Sequence, residues 1–533
     1  MSGIKQVVQS VNSLPVLGKW VNRVATHYYC TTTSARPRPF SLWSHQPKPE
    51  PREEWGEVGE YTTWPMLIDK QFSARHLAPA ERTYVEGLPE DTGFDPQTQR
   101  WGEVTELFRR QGPMQTDRSS LLFMFFAQWF TDSVLRIDSF DRRKNTSNHN
   151  IDLCQIYGLK ETTTRLLRTG NGGLLRSQQI RGEEFPDCLG ELDQQGQWQV
   201  KPHYRRLPYA SAEKLDLIFG SWPQERRHRL YATGLERGNS SIGYVAVSTL
   251  FLREHNRICR ALQAQYTGPQ WDDERLFQTA RMINIVILMK LVVEEYINHI
   301  AGYPIFKFDP GFAERTPWYR DPWISMEFDL LYRWHGLVPT TIKVRGKDVD
   351  HTDFRVNNQV LEDLGLGELM TLASTQAAGK IGLGNVPDFL LGAEHATLRM
   401  GREFRLQSFN AYRRAFRHPL FGIKPLKSFA ELTDDVDLQR RLRDLYKHID
   451  NVEFVVGLFA EKPGKQGALF GDLLNAMVAY DAFTQIYTNP LLSKSVYNEQ
   501  TFTRYGLDLI EQTRSVQDLL ARNSVAGQAG FSV

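Results

Sequence analysis

His335 stands three residues after Tyr332 in the stretch MEFDLLYRWHGLVP, Met326 to Pro339. On a helix, that spacing places both side chains on one side. Histidine is a usual axial ligand to haem iron in oxygen and peroxide chemistry. A phenol beside such a centre can carry an oxidising equivalent. Taken alone, the same pair also fits a hydrogen-bonded contact within a core. Two further stretches set polar residues into apolar helical patterns: FFAQWFTD (Phe125 to Asp132) and LFLREHNRIC (Leu250 to Cys259).

The elements that must hold these residues read as helices. Apolar residues recur at helical spacing over Leu121 to Ile137, Gly243 to Tyr266, Glu274 to Ile300 and Leu438 to Val456. Strand signals are few and short, and no repeat occurs. The expected fold is mainly α, with one large helical domain over residues 61–533. Before it, within a module at residues 1–45, residues 4–29 carry valines, leucines and Trp20 among basic and polar residues, and Pro15 divides them into two short amphipathic helices. Such helices lie in a membrane interface or dock on the protein's own body. Residues 46–60, within and just after a Pro- and charge-rich stretch at 35–57, read as a linker.

Composition excludes some classes. A net charge of +2 gives no long-range reason to expect nucleic acid. The four cysteines form no CxxC pair, so neither a zinc site nor a disulfide framework is indicated. No run reaches the roughly 18 uninterrupted apolar residues of a spanning helix. The N-terminus lacks the pattern of a secretory signal. A cytoplasmic protein is expected. Aromatic residues at 12% suit either a large apolar cavity or any large core.

The three stretches, in this order, resemble the signature segments of the animal haem peroxidase superfamily, and the cyclooxygenase branch fits best. NIDLCQIYG (Asn150 to Gly158), MINIVILMKLVVEEYINHIAGY (Met282 to Tyr303) and YKHIDNVEFVVGLFAEKPG near the C-terminus extend the similarity from about residue 60 to the end. NSLPVLGKWVNRVATHYY is similar to the helical membrane-binding module of cyclooxygenases, so peripheral membrane attachment becomes the favoured reading of residues 1–45. The growth-factor-like module of the animal enzymes is missing, which implies a bacterial or otherwise non-secreted relative. A homodimer is compatible with the resemblance.

The resemblance implies roles residue by residue. His335 matches the proximal iron ligand, Trp334 its neighbour, and Tyr332 the tyrosine that becomes a radical and abstracts hydrogen from a fatty acyl chain. Gln128 matches the distal glutamine that faces peroxide. Where the family has its distal histidine, this chain has Asp132. A carboxylate can serve the same proton shuttle if its pKa suits; burial would raise that pKa and an arginine would lower it. Arg237 stands where secreted mammalian peroxidases keep a distal arginine; the alternative is a surface loop position. Ser240 and Thr131 replace the carboxylates that esterify haem in those peroxidases, so non-covalent haem b is implied. The calcium loop is matched only at Asp152, so no calcium is expected.

Two channel positions depart from the family. Tyr303 matches the tyrosine that binds the fatty acid carboxylate, but its arginine partner aligns near Tyr29, with Arg23 and His27 as the nearest cations. An unpaired carboxylate is costly in a dry channel. A neutral ester or amide, or the opposite binding polarity, is therefore implied. Phe483 aligns with the serine acetylated by aspirin, which favours a mono-hydroperoxide over a cyclised product. The implied activity is a haem-dependent dioxygenase acting on a fatty acid or a neutral derivative with O2 or peroxide. The alternatives are a peroxidase for small donors and a haem-binding protein with impaired peroxide activation.

Overall fold

Helices build the molecule because its apolar residues recur with helical period and its polar breaks are capped. The architecture comes from a computed structural model, which describes residues 15–32, 38–39, 72–302, 304–418, 422–464 and 467–533. Helix α1 (Pro15–Thr32) starts with proline at its first position, where the missing N–H costs nothing. The residues before it, and the linker at 46–60, lie outside the described residues. The core is formed by α2 (Leu121–Thr131), α3 (Ile242–Gln265) and α4 (Asp273–Leu291), with α3 packed on both others. Helix α2 is apolar around most of its circumference and buried accordingly. Ser120 caps it, its side chain accepting from the Phe123 N–H. The helices approach so closely that a Cβ at Gly243 would overlap the Phe125 ring.

The helical run Asp273–Ala301 is long and apolar enough to cross a membrane, but 83% of its apolar window is buried inside the protein. It is a core helix. Its α-geometry gives way to a π-helical stretch at Val292–Ile297, and Gly302, at φ 83°, ends it in the left-handed conformation that glycine adopts freely.

Further helices surround this core, among them α5 (Met326–Leu331), α6 (Leu391–Glu403), α7 (Val436–Tyr446), α8 (Phe454–Ala460) and α9 (Asp472–Tyr487). The single helix expected over Leu438 to Val456 is thus two. The chain breaks at Lys447, φ 61°, and the Tyr446 hydroxyl then donates to Glu453 across the gap. Sheet is confined to two-stranded ribbons among the described residues. Strand β1 (Thr116–Ser120) leads into α2 and pairs with β4 (Ala377–Gly379); β2 (Thr341–Val344) and β3 (Lys347–Asp350) form a hairpin. Its turn residues Arg345 and Gly346 both have positive φ, the geometry that matches strand twist. The mainly α expectation describes this architecture.

Candidate active site

Tyr332 and His335 do not share a helical face, contrary to their spacing. Ser325 caps α5, its side chain accepting from the Phe328 N–H, and the helix ends after six residues at Leu331. A separate 3-10 turn begins at His335. The Trp334 side chain accounts for the break: its indole N–H donates to the Leu331 carbonyl at 2.8 Å, satisfying an acceptor left by the helix end. The following loop is pinned from below. A Cβ at Gly379 would collide with the Gly336 carbonyl, and Asn385 donates to that same carbonyl.

This loop forms one wall of a cavity of about 350 Å³, within the roughly 300–1,000 Å³ of ligand pockets. Tyr332, Trp334 and His335 all line it. The Tyr332 ring stacks on Trp334, centroids 4.3 Å apart, and meets Phe328 edge-on at 5.0 Å. The Nδ1–H of His335 donates to Glu394 Oε1 at 2.8 Å. A carboxylate only accepts, so Nδ1 keeps the proton and the Nε2 lone pair is left for a metal.

A second part of the lining carries Gln128, Asp132 and Arg237. Gln128 is the exposed residue of the otherwise largely buried α2, and it faces the cavity. The Ser241 hydroxyl donates to its Oε1 at 3.0 Å. Asp132 caps the C-terminal end of α2 and is buried. Arg237 lies on a 3-10 turn at Glu236–Asn239, with Nη1 3.3 Å from Asp132 Oδ1. Burial raises the Asp132 pKa, and the charges of Arg237 and Arg136 only partly oppose it. Arg136 is itself held by both oxygens of Glu236, at 2.7 and 3.0 Å. Thr131 and Ser240 stand on the same wall.

The residues expected to line a substrate channel lie elsewhere. Phe483, on α9, is buried against Phe306 at 4.7 Å and Tyr29 at 6.4 Å, and neither Phe483 nor Tyr29 lines the cavity. Arg23 makes a two-point ion pair with Asp309, at 2.5 and 3.2 Å. Tyr303 lies outside the described residues. Sequence reading missed two groups. Glu394 arrives from α6, 59 residues away, with no local signal. Tyr296 comes from the π-helical stretch after α4. Its hydroxyl lies against that of Tyr332, though without a full hydrogen bond, and burial raises both. A π-bulge inside a long helix often marks a functional position.

The residues fit a haem. Among the described residues no three metal-ligating side chains converge, so a bare ion has no cage. One histidine with a free Nε2 on a cavity wall suits a metal that brings its own ring.

The comparisons agree with that geometry. The animal haem peroxidase family model matches residues 136–529. The chain is 32% identical over 423 residues to prostaglandin G/H synthase 2 of Bos taurus, covering 78% of this chain. It is 33% identical over 423 residues to prostaglandin G/H synthase 1 of Mus musculus. The chain spans 65% of the length of each of these two relatives. Among solved structures, the fatty acid alpha-dioxygenase of Oryza sativa superposes with a TM-score of 0.66 at 18% identity, over 98% of this chain and 94% of that one. Peroxidase A of Dictyostelium discoideum gives 0.64 at 18% identity, over 84% and 94%. The chain belongs to the animal haem peroxidase family. Gln128 and Asp132 lie before the matched segment.

Proposed function

We propose that the protein is a haem-dependent oxygenase that converts a fatty acid, or a neutral derivative of one, to a hydroperoxide through a Tyr332 radical. The observation that carries this reading is the place of Tyr332. Its ring lines the cavity beside His335 and stacks on Trp334, while its hydroxyl meets Tyr296 in the apolar interior.

When bound, haem would supply the oxidising equivalent. His335 would hold the iron through Nε2, with its ring fixed by Glu394. Gln128 and Arg237 would orient peroxide, and a carboxylate oxygen of Asp132 would take its proton and return it to the leaving oxygen. The Tyr332 hydroxyl stays protonated because burial raises its pKa. It is therefore oxidised by losing an electron and its proton together. The resulting phenoxyl takes a hydrogen atom from a substrate C–H, the carbon radical adds O2, and the peroxyl regains hydrogen from Tyr332. Thr131 and Ser240 offer hydroxyls and no carboxylates to the cavity, which supports non-covalent haem. The commitment of Arg23 to Asp309 removes one substitute for the missing arginine and supports a neutral substrate head.

Tyr332→Phe tests this reading. The variant should keep its Soret band and lose oxygen uptake with fatty acids and their methyl esters. Uptake at the wild-type rate would end the radical mechanism. A second reading, a peroxidase for small donors, draws on the exposure of Arg237, whose side chain is 61% accessible at the cavity mouth. Dye oxidation unchanged in Tyr332→Phe, with no lipid uptake in the wild type, would select it.

The outer face of α1 supports membrane contact. Val16, Leu17, Trp20 and Val24 form an exposed stripe, Val16 at 85% and Trp20 at 60%, while Asn22, Thr26 and Cys30 are buried on the face toward α9. An apolar stripe beside Lys19 suits a lipid interface. Trp20→Ser with Val16→Ser should weaken co-sedimentation with anionic vesicles; equal binding by both proteins would remove this assignment.

A further inference from the structure

We infer that Tyr157 and His255 form a second redox site, a phenol–imidazole pair that takes over the oxidising hole from Tyr332 when no lipid is there to receive it. The inference rests on the Tyr332 radical proposed above and adds a second stopping place for it. The two residues come from NIDLCQIYG and LFLREHNRIC, and nothing in the proposed reaction uses either.

Tyr157 ends a short helical turn, His255 lies on α3, and both are fully buried. His255 Nε2 lies 2.9 Å from the Gly173 carbonyl, which only accepts, so that nitrogen carries the ring proton. Nδ1 is therefore an acceptor, and the Tyr157 hydroxyl donates to it at 2.8 Å. Asn284 donates to the Tyr157 oxygen at 3.1 Å, which keeps the hydroxyl proton turned toward the imidazole. Burial holds the phenol in its protonated form. Burial first, then the charges of Arg168 and Arg281, brings the His255 pKa down to about 4 against the bond to Gly173, so the ring is neutral. Aromatic rings link this pair to Tyr332. Tyr296 meets Tyr332 hydroxyl to hydroxyl, Phe126 lies 5.4 Å from Tyr296, Trp129 5.7 Å from Phe126, and Phe251 stacks on Trp129 at 4.8 Å. Asn284 closes the chain, donating to the Phe251 carbonyl at 3.0 Å from the same nitrogen that holds Tyr157. Tyr296 and Trp129 are themselves oxidisable, so the hole moves in short steps.

Peroxide supplies the first hole, through the reaction proposed above. Tyr157 then gives one electron along the chain to the Tyr332 phenoxyl, which takes back the proton released at its oxidation and becomes a phenol again. The Tyr157 proton moves to His255 Nδ1, leaving a neutral phenoxyl beside an imidazolium. A buried cation is costly. A phenol that has lost an electron is nevertheless a far stronger acid than an imidazolium, so its proton transfers even to this weak base. Arg168 adds little repulsion, because Asp273 and Glu274 hold it at 2.7 and 2.5 Å. The Tyr332 hydroxyl meets another phenol, a much poorer proton acceptor than an imidazole, so the hole is held more firmly at Tyr157. A pair that only tied α3 to its neighbours would affect stability and leave every radical signal unchanged.

The test uses the haem-loaded full chain, mixed with hydrogen peroxide without lipid, frozen at increasing times and read by electron paramagnetic resonance. An early tyrosyl signal, removed by Tyr332→Phe, should give way to a second tyrosyl signal. In protein grown on histidine enriched in the heavy nitrogen isotope, only the second signal should change its nitrogen coupling. Tyr157→Phe, with its Soret band intact, should keep the first signal and lose the second. In the wild type, a second signal without that coupling, or none while the first decays, would overturn the proposal whether or not the variant folds. So would a second signal that survives Tyr157→Phe. Peroxide that raises no tyrosyl signal at all would overturn the Tyr332 radical and this proposal together.

Discussion

The two walls of the cavity are built differently. On the proximal wall every group has a short, fixed partner: His335 on Glu394, Trp334 on the Leu331 carbonyl, Tyr332 on Trp334. On the distal wall the contacts are longer and more exposed. Arg237 reaches Asp132 at 3.3 Å with most of its side chain in solvent, and Gln128 is held by serine hydroxyls at 3.0 and 3.5 Å. The difference fits the roles proposed for the two sets of residues. A metal ligand and a radical carrier need one geometry, supported from behind. Groups that admit peroxide and move its proton need access and some freedom.

The largest expected effect tests the rigid wall. His335→Ala should lose haem altogether, read as the absence of a Soret band after reconstitution. Normal haem content would dissolve the contrast, because the proximal wall would then not be the binding wall.

Next comes the distal base. Asp132→Asn should keep haem and slow peroxide-dependent turnover by about 10²–10⁴-fold, the usual worth of a positioned acid–base group. A rate near wild type would transfer the shuttle to Arg237 or Gln128.

The smallest effect sharpens the contrast. The charge of Arg237 lowers the Asp132 pKa against the burial that raises it. Peroxide cleavage needs the ionised carboxylate, so activity should rise as pH rises through that pKa. Arg237→Gln removes the opposing charge, and the acid limb of the pH–rate profile should move to higher pH. A limb that stays in place would show that solvent already screens the pair, as it does for many exposed ion pairs.

Much of this was legible along the chain. The helices α2, α3 and α4 announce themselves because their apolar residues keep helical period over long stretches. Gln128 and Asp132 sit four apart on one such helix, so their convergence was foreseeable. The Tyr332–His335 relation was not. A spacing of three implies one face only while the helix continues, and here an indole N–H takes the carbonyl that would have continued it. The N-terminal helix was visible as amphipathic, yet which face meets α9 and which meets solvent was decided by packing.

Residue order alone therefore determined the mainly helical class, the candidate iron ligand, the candidate radical carrier and the carboxylate in place of a distal histidine. The helical class follows from apolar period, and the three candidate roles follow from the resemblance of ordered motifs along the chain. Only the tertiary structure brought Tyr296 to Tyr332 and Glu394 to His335, and it set Arg237, which the resemblance had put in the same pocket, against Asp132. Each of these pairs joins segments 36 to 105 residues apart in the numbering, and such contacts are set by how helices pack, which no local period records.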